Sequence, residues 1–212
     1  DSRVDTTRAL VAALGDGGAR VLVNGSAIGF YGTGEETRTE ASPAGGDFLA
    51  ETCVAWEAEA LAAEAKGVRV VLLRTGIVMA AEGGALKKQL PLFKAGVGGP
   101  LGGGRQWQSW VHIGDVTGLI AHAVEHDAVT GPLNATAPEP VRQKDFARTL
   151  GRVLGRPAFL PTPGIALKLA LGEMSTLALD GQRVEPAAAL ASGYGFRFTE
   201  LEPALRDVLS RD

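Results

Sequence analysis

Ser26 and Tyr31 follow a short apolar run closely and carry hydroxyls that can hold or move a proton. A serine in that place can hydrogen-bond a substrate oxygen, and a tyrosine can donate a proton or stack on a ligand. Asp47 and Glu51 add two carboxylates at the start of an apolar, alanine-rich run. In a first helical turn such carboxylates usually cap the helix and complement its dipole. Glu51 is kept beside Ser26 and Tyr31 as a catalytic candidate.

A second group lies in the segment from Arg105 to Asp115, which reads RQWQSWVHIGD. Arg105 can grip an anionic group at two points, and Gln106, Trp107 and His112 can line a substrate cleft around it. His112, His122 and His126 are not set beside acidic or thiol ligands at metal spacing, so no metal is expected. Cys53 has no histidine nearby in sequence to activate it and reads as a small buried hydrophobe.

These residues must be positioned by an alternation of helices and strands. Val4, Leu10, Val11 and Leu14 mark a helix from about Arg3 to Leu14, stopped by Gly15. A buried strand at 20–25 follows, with Asn24, Gly25, Ser26, Ala27 and Gly29 forming a small-residue crest at its carboxyl end. Asp47 caps a helix to about Lys66, and a second buried strand runs over 68–74. Continuous apolar strands separated by helices predict a doubly wound parallel α/β sheet, whose ligands bind outside the strands' carboxyl ends. The two strands should therefore be parallel and adjacent, with Ser26, Tyr31, Val78 and Gln106 facing one cleft and Arg105 at its rim.

Further on, a helix from Gly83 leads into the glycine run 96–104. That run follows a helix and carries Pro100, so it is not a nucleotide-binding fingerprint. Asp115 is expected to cap a helix reaching His126. A short strand at 132–136 and a helix over 141–154 come next, then short helices broken by prolines and glycines. The boundary falls near Pro157, giving residues 1–156 and a small helical region over 157–212.

The chain has 212 residues, a formal net charge of −3 and 45% hydrophobic residues. Those values fit one globular core and give no basic field for nucleic acid or an anionic membrane. A single cysteine excludes an internal disulfide and fits a cytoplasmic location.

Taken as a set, several segments resemble the extended short-chain dehydrogenase/reductase superfamily, and within it the atypical epimerase family protein branch. They are Ser2-Arg3-Val4 with Thr6-Thr7, Ser26 to Gly32, Gly46-Asp47-Phe48-Leu49 with Trp56-Glu57, and Leu73 to Val78. Gly98 to Gly102, Arg105-Gln106-Trp107, Ser109 to Ile113, Asn134 to Pro138, Gly172 to Met174 and Gly181 to Val184 complete the set. The likeness covers nearly the whole chain in order. It implies an NAD(P)-binding Rossmann-like sheet and a small C-terminal α-rich substrate lobe. It also implies hydride transfer with NADP or NAD, NADP favoured, on an unknown small substrate, a sugar nucleotide among the options.

The same resemblance assigns the cofactor to Arg3, Ser26 and the turn Arg74, Thr75, Gly76 and Val78, and suggests a homodimer through the helices at 3–14 and 47–66. Two departures bear on it. The chain opens on a helix, so the N-terminal βαβ half with its glycine fingerprint is expected to be missing. The superfamily's Tyr-x-x-x-Lys pair is absent as well: aligned on Glu57, Leu49 and Cys53 stand in its place. The alternative is therefore a cofactor-binding sensor that kept the fold and lost turnover.

Overall fold

The structure is a computed structural model that describes residues 2–15, 18–165, 169 and 172–210. The side chains of Glu173 and Met174, part of the resemblance set, lie outside the described residues.

The centre is a parallel three-stranded sheet of β1 (Val21–Ala27), β3 (Arg69–Thr75) and β7 (Gly131–Ala135), with β3 in the middle. The expected parallel pairing of the first two strands is present, in a register that sets Val21 against Arg69 and Ser26 against Arg74. On β7, Asn134 comes level with Arg74. Three polar side chains thus end up side by side at the carboxyl end of the sheet.

β3 is apolar on both faces because helices cover both. Successive side chains of a strand point to opposite faces. Val70 and Leu72 pack with Val11, Ala60 and Ala63, under α1 (Ser2–Ala13) and α2 (Phe48–Leu61). Val71 and Leu73 pack on the other face with Leu119 and Ala123 of α4 (Ile113–Glu125) and with Ala189. Arg69, at the foot of β3, donates to the Ala123 carbonyl in the last turn of α4 at 2.8 Å and to the Val129 carbonyl in the connection to β7 at 2.6 Å.

Asp47 caps α2, its Oδ1 accepting from the Ala50 amide at 2.9 Å. The inner stripe of α2 is Ala50, Cys53, Glu57 and Ala60, at helical spacing. Ala50 is therefore core, while Val54, Ala58 and Leu61 face outward.

A second layer of short strands leads away from the sheet. β2 (Gly34–Arg38) pairs with a strand at Gln182–Val184, and β4 (Ile77–Met79) pairs with β6 (Trp110–His112). β5 (Trp107–Gln108) pairs with β8 (Val141–Arg142). This last pairing corrects the expected helix start at 141: α5 is Gln143–Leu154, because Val141 and Arg142 are held as strand by Gln108 and Trp107. α3 (Gly84–Lys94), α5 and α6 (Leu201–Leu209) enclose one core of Met79, Leu86, Phe93, Trp110, Phe146, Leu150 and Leu205. The C-terminal helix thus shares its apolar face with elements far earlier in the chain.

The helix after β6 is capped differently from expectation. His112, not Asp115, is its N-cap: Nδ1 accepts from the Gly114 amide at 2.9 Å. Asp115 is fully buried one turn in, where it accepts from the Arg197 and Phe198 amides at 2.8 and 3.1 Å. It pins residues 197–198 to the first turn of α4. Among the described residues, no helix is long and apolar enough to cross a membrane.

Candidate functional site

The carboxyl end of the sheet carries a closed polar network. Ser26 donates to Glu57 Oε1 at 2.6 Å, and Arg74 meets the same carboxylate at two points, both at 2.8 Å. Arg74 Nη1 reaches the Tyr31 hydroxyl at 2.9 Å, and that hydroxyl donates to Asn134 Oδ1 at 2.7 Å. Asn134 is fixed in turn: its amide donates to Glu40 Oε1, and its side chain donates to the Glu185 carbonyl. The Arg74 guanidinium also lies 3.4 Å from the Phe30 ring centroid, a cation–π contact.

Local structure explains why these groups meet. The 3₁₀ turn Ile28–Tyr31 folds the chain back over the end of β1, bringing Tyr31 above β3 and β7. Glu57 arrives from the inner stripe of α2, four residues after Cys53. Gly76, just past β3, permits the next layer to close. A Cβ there would lie 2.3 Å from the Ser109 carbonyl oxygen, so only glycine lets β4 and β6 pack against the sheet end.

Burial sets the electrostatics. Tyr31 is 3% exposed, and loss of water pushes its phenol above the ordinary tyrosine range, against the hydrogen bond from Arg74. Burial pulls the Arg74 guanidinium down, but Glu57 and Tyr31 outweigh it, leaving the cation more firmly protonated than usual. The Cys53 thiol is pushed up by burial and so resists becoming a thiolate.

Ser26, Tyr31 and Arg74 come together as one unit, but each is engaged by neighbours within the protein. Glu51 does not join them. It is exposed in the first turn of α2, outside the inner stripe that carries Glu57, and helical periodicity is the reason. His112 is corrected too: it is completely buried as the α4 cap, stacked on Phe198 and 3.1 Å from Asp207 through Nε2, so it lines no cleft. Because Nδ1 accepts from Gly114, the ring proton belongs on Nε2.

Arg105 and Gln106 sit elsewhere, on a cavity of about 320 Å³ that Thr33, Gly34, Leu179, Asp180 and Gly181 also border. It adjoins a cavity of about 500 Å³ formed by Glu35, Arg105, Arg142 and Lys144. Trp107 is half-buried beside them, donating to Glu35 and stacked beneath Arg142 at 3.7 Å. Arg142 holds Glu35 at two points and lowers its carboxyl below the usual range. Thr75 pairs with Ala27 and Ala135 in the sheet while its hydroxyl donates to the Leu73 carbonyl, and Val78 pairs with Val111 in β4 and β6. Arg3 lies over the Trp56 ring at 5.6 Å. Among the described residues, no group of three His, Cys, Asp or Glu could hold a metal ion.

Glu57, Asn134, Arg142 and Lys144 were not singled out as site residues from sequence. Glu57 had a signal, its helical spacing from Cys53. Asn134, on a separate strand, stood only among the segments that carry the resemblance, with no local pattern to pair it with Tyr31.

Residues 1–135 match the NAD dependent epimerase/dehydratase family, and residues 162–208 match a domain of unknown function, DUF1731. The chain belongs to the NAD dependent epimerase/dehydratase family. Within that family it is 43% identical over 213 residues to the epimerase family protein SDR39U1 homolog, chloroplastic, of Arabidopsis thaliana. That alignment takes in 98% of this chain and 61% of the relative. It is 45% identical to the epimerase family protein YfhF of Bacillus subtilis, over 90% of this chain and 63% of that one. The chain thus spans less than two thirds of the length of either relative. Among solved structures, human epimerase family protein SDR39U1 (isoform 2) with NADPH superposes with a TM-score of 0.92 at 34% identity, covering 99% of this chain and 72% of the human one. A nucleoside-diphosphate sugar epimerase from Corynebacterium glutamicum gives 0.75 at 32% identity, over 99% and 41%.

Proposed function

We propose that this chain is part of an NAD(P)-dependent oxidoreductase or epimerase-like protein that transfers hydride to or from a small substrate, with NADP(H) as the preferred cofactor. The carrying observation is the level ending of β1 and β3 at Ser26, Ala27, Arg74 and Thr75, crowned by small residues, in a chain that superposes on an NADPH-bound relative. Backbone and small side chains at 26–27 and 75–78 offer a flat ligand close approach, and Arg3 stands at the start of α1. When bound, the cofactor supplies the hydride, and the protein's part is orientation and proton handling.

In this reading Ser26 and Tyr31 are the proton-handling hydroxyls at the strand end. Their protons rest on Glu57 and Asn134, so a ligand must exchange for those bonds, and burial keeps the Tyr31 proton on until then. Glu57 orients both Ser26 and Arg74. Residues 1–156 form the cofactor-side domain, and 157–212 the family-specific region. A homodimer through the exposed face of α2, with Phe48, Val54 and Leu61 outward, and a cytoplasmic location belong to the same proposal.

One observation favours a second reading, a cofactor-binding sensor without turnover. Leu49 and Cys53, standing where the superfamily has its proton-transfer pair, approach Gly29 with an apolar group and a poorly acidic thiol. Three measurements on the full-length protein decide between them: saturable NADPH binding by fluorescence, NADPH oxidation at 340 nm against a carbonyl panel, and exchange of a 4-deuterium label. Binding with net oxidation supports a reductase. Binding with exchange of the label between cofactor and substrate supports an epimerase, which returns its hydride, and binding with neither supports the sensor. No binding of NADPH or NADH sinks both.

A further inference from the structure

We infer that the cavity bounded by Glu35, Arg105, Arg142 and Lys144 is an anion site that receives a phosphoryl or carboxylate group of the substrate, with Arg105 and Lys144 as the contacting cations. The inference depends on the segment at 103–106 facing substrate, but not on hydride transfer.

Three cations and one carboxylate line this cavity, and the carboxylate is already committed. Glu35 is held at two points by Arg142, at 3.0 and 2.7 Å, and also accepts from Trp107 Nε1. Arg142 is immobilised as a wall. Its guanidinium carbon lies 3.7 Å from the Trp107 ring centroid, and it bonds Glu35 and donates to the Arg105 carbonyl. Among the described residues no carboxylate lies within ion-pair distance of Arg105 or Lys144, though Arg105 is near enough to Glu35 to help Arg142 lower its carboxyl, and both cations are exposed.

The two are nevertheless set in fixed relation. The loop before Arg105 makes a tight approach to the start of α5: the Lys144 amide donates to the Gly104 carbonyl at 2.9 Å. A Cβ on Gly104, at φ +63, would meet Lys144 Cβ at 2.9 Å. The Gln143 amide donates to the Gln106 carbonyl at 2.9 Å, closing a second link. Backbone contacts thus hold the stems of both cations at one mouth.

The cations gather at the start of α5, whose first turn also carries Asp145. Arg142 is the N-cap of α5 and makes no side-chain cap bond, and Lys144 lies in its first turn. The positive end of a helix favours anions, so cations there are opposed by the dipole. Between them in sequence Gln143 is buried away from the cavity, its Oε1 accepting from the Leu101 amide at 2.8 Å, which anchors the loop before Arg105. A bound anion would answer the Arg105 and Lys144 charges together. Guanidinium recognises the paired oxygens of carboxylate or phosphate, and ammonium adds a point charge.

The test uses the full chain with inorganic pyrophosphate and, separately, malonate, titrated by calorimetry at low ionic strength. Arg105→Gln, Lys144→Gln and the double variant are compared, with Lys87→Gln as a distant surface control. The expected result is saturable binding that falls at least tenfold in the double variant, is unchanged in the control, and weakens with salt. Melting temperatures unchanged in all variants would show that the loss is local. Tighter pyrophosphate identifies a phosphoryl substrate and tighter malonate a carboxylate one; either supports the site. Absence of saturable binding, or equal affinity in the double variant, overturns it. Dependence on Arg105 and Lys144 separates this site from any that serves the dinucleotide's own phosphates. Because no turnover is read, the anion site can stand where hydride transfer fails, and the reverse.

Discussion

Glu57 holds Arg74 at two points, Nε to Oε1 and Nη2 to Oε2, each at 2.8 Å, while the same Oε1 accepts from Ser26. Both side chains are almost wholly buried. Removing one partner from a buried ion pair leaves an uncompensated charge and costs about 3–5 kcal/mol. Glu57→Gln should therefore destabilise by that order in urea unfolding, and Arg74→Met likewise. The double variant should lose clearly less than the sum, because neither charge is then left alone. Additive losses would mean that the pair does not couple.

Lys66 is a second, humbler case of a charge with a defined job. Its ammonium donates to the carbonyls of Val11, Ala12 and Leu14, at 2.8, 3.1 and 2.7 Å. These groups lie at the C-terminal end of α1, where carbonyls lack helical partners and the dipole is negative. Lys66→Met should cost about 1–2 kcal/mol and speed amide exchange across Val11 to Leu14. Unaltered exchange there would show that water replaces the lysine without loss.

His112 couples the α4 cap to α6, with one ring nitrogen on the Gly114 amide and the other facing Asp207. His112→Asn keeps a cap acceptor but is too short to reach α6. It should recover part of the stability lost in His112→Ala, itself about 1–3 kcal/mol. If both variants melt together, the cap contributes nothing and the Asp207 contact carries the effect.

The sheet was legible because β1 and β3 are continuous apolar runs flanked by glycines, and a two-faced core leaves few alternatives for such strands. Asp47 was legible as a cap for a similar reason, since its role is local. The site was less so. Glu57, Tyr31 and Asn134 come from a helix, a turn and a strand, and the pairing that joins them is set by strand register across 103 residues. His112 looked like a ligand group because it lies among polar and aromatic residues. Its burial depends on α6, almost a hundred residues later, and no local pattern announces that. Arg142 read as helix because it precedes a strong helical stripe, whereas pairing with Trp107 overrides local propensity.

The tyrosines give the last prediction. There are two in the chain, Tyr31 and Tyr194. Burial raises Tyr31, while burial and the neighbouring Asp115 carboxylate push Tyr194 up to about 12. Unfolded, both phenols titrate near 10. The native state therefore keeps protons that the unfolded state releases from about pH 10 upward, Tyr194 holding its own to about 12. With fewer protons bound in the unfolded state, stability falls as pH rises through that window, and it is fully present below pH 10. Absorbance at 295 nm should show little tyrosinate in the folded protein at pH 10, and a step on unfolding in urea to which both tyrosines contribute, each about half ionised at that pH. Tyr194→Phe should halve that step and flatten the alkaline loss of stability. A native one-tyrosine step centred at 10 would show that one phenol meets water freely. If that step survives in Tyr194→Phe, the exposed phenol is Tyr31, and the closed network at the end of the sheet is wrong.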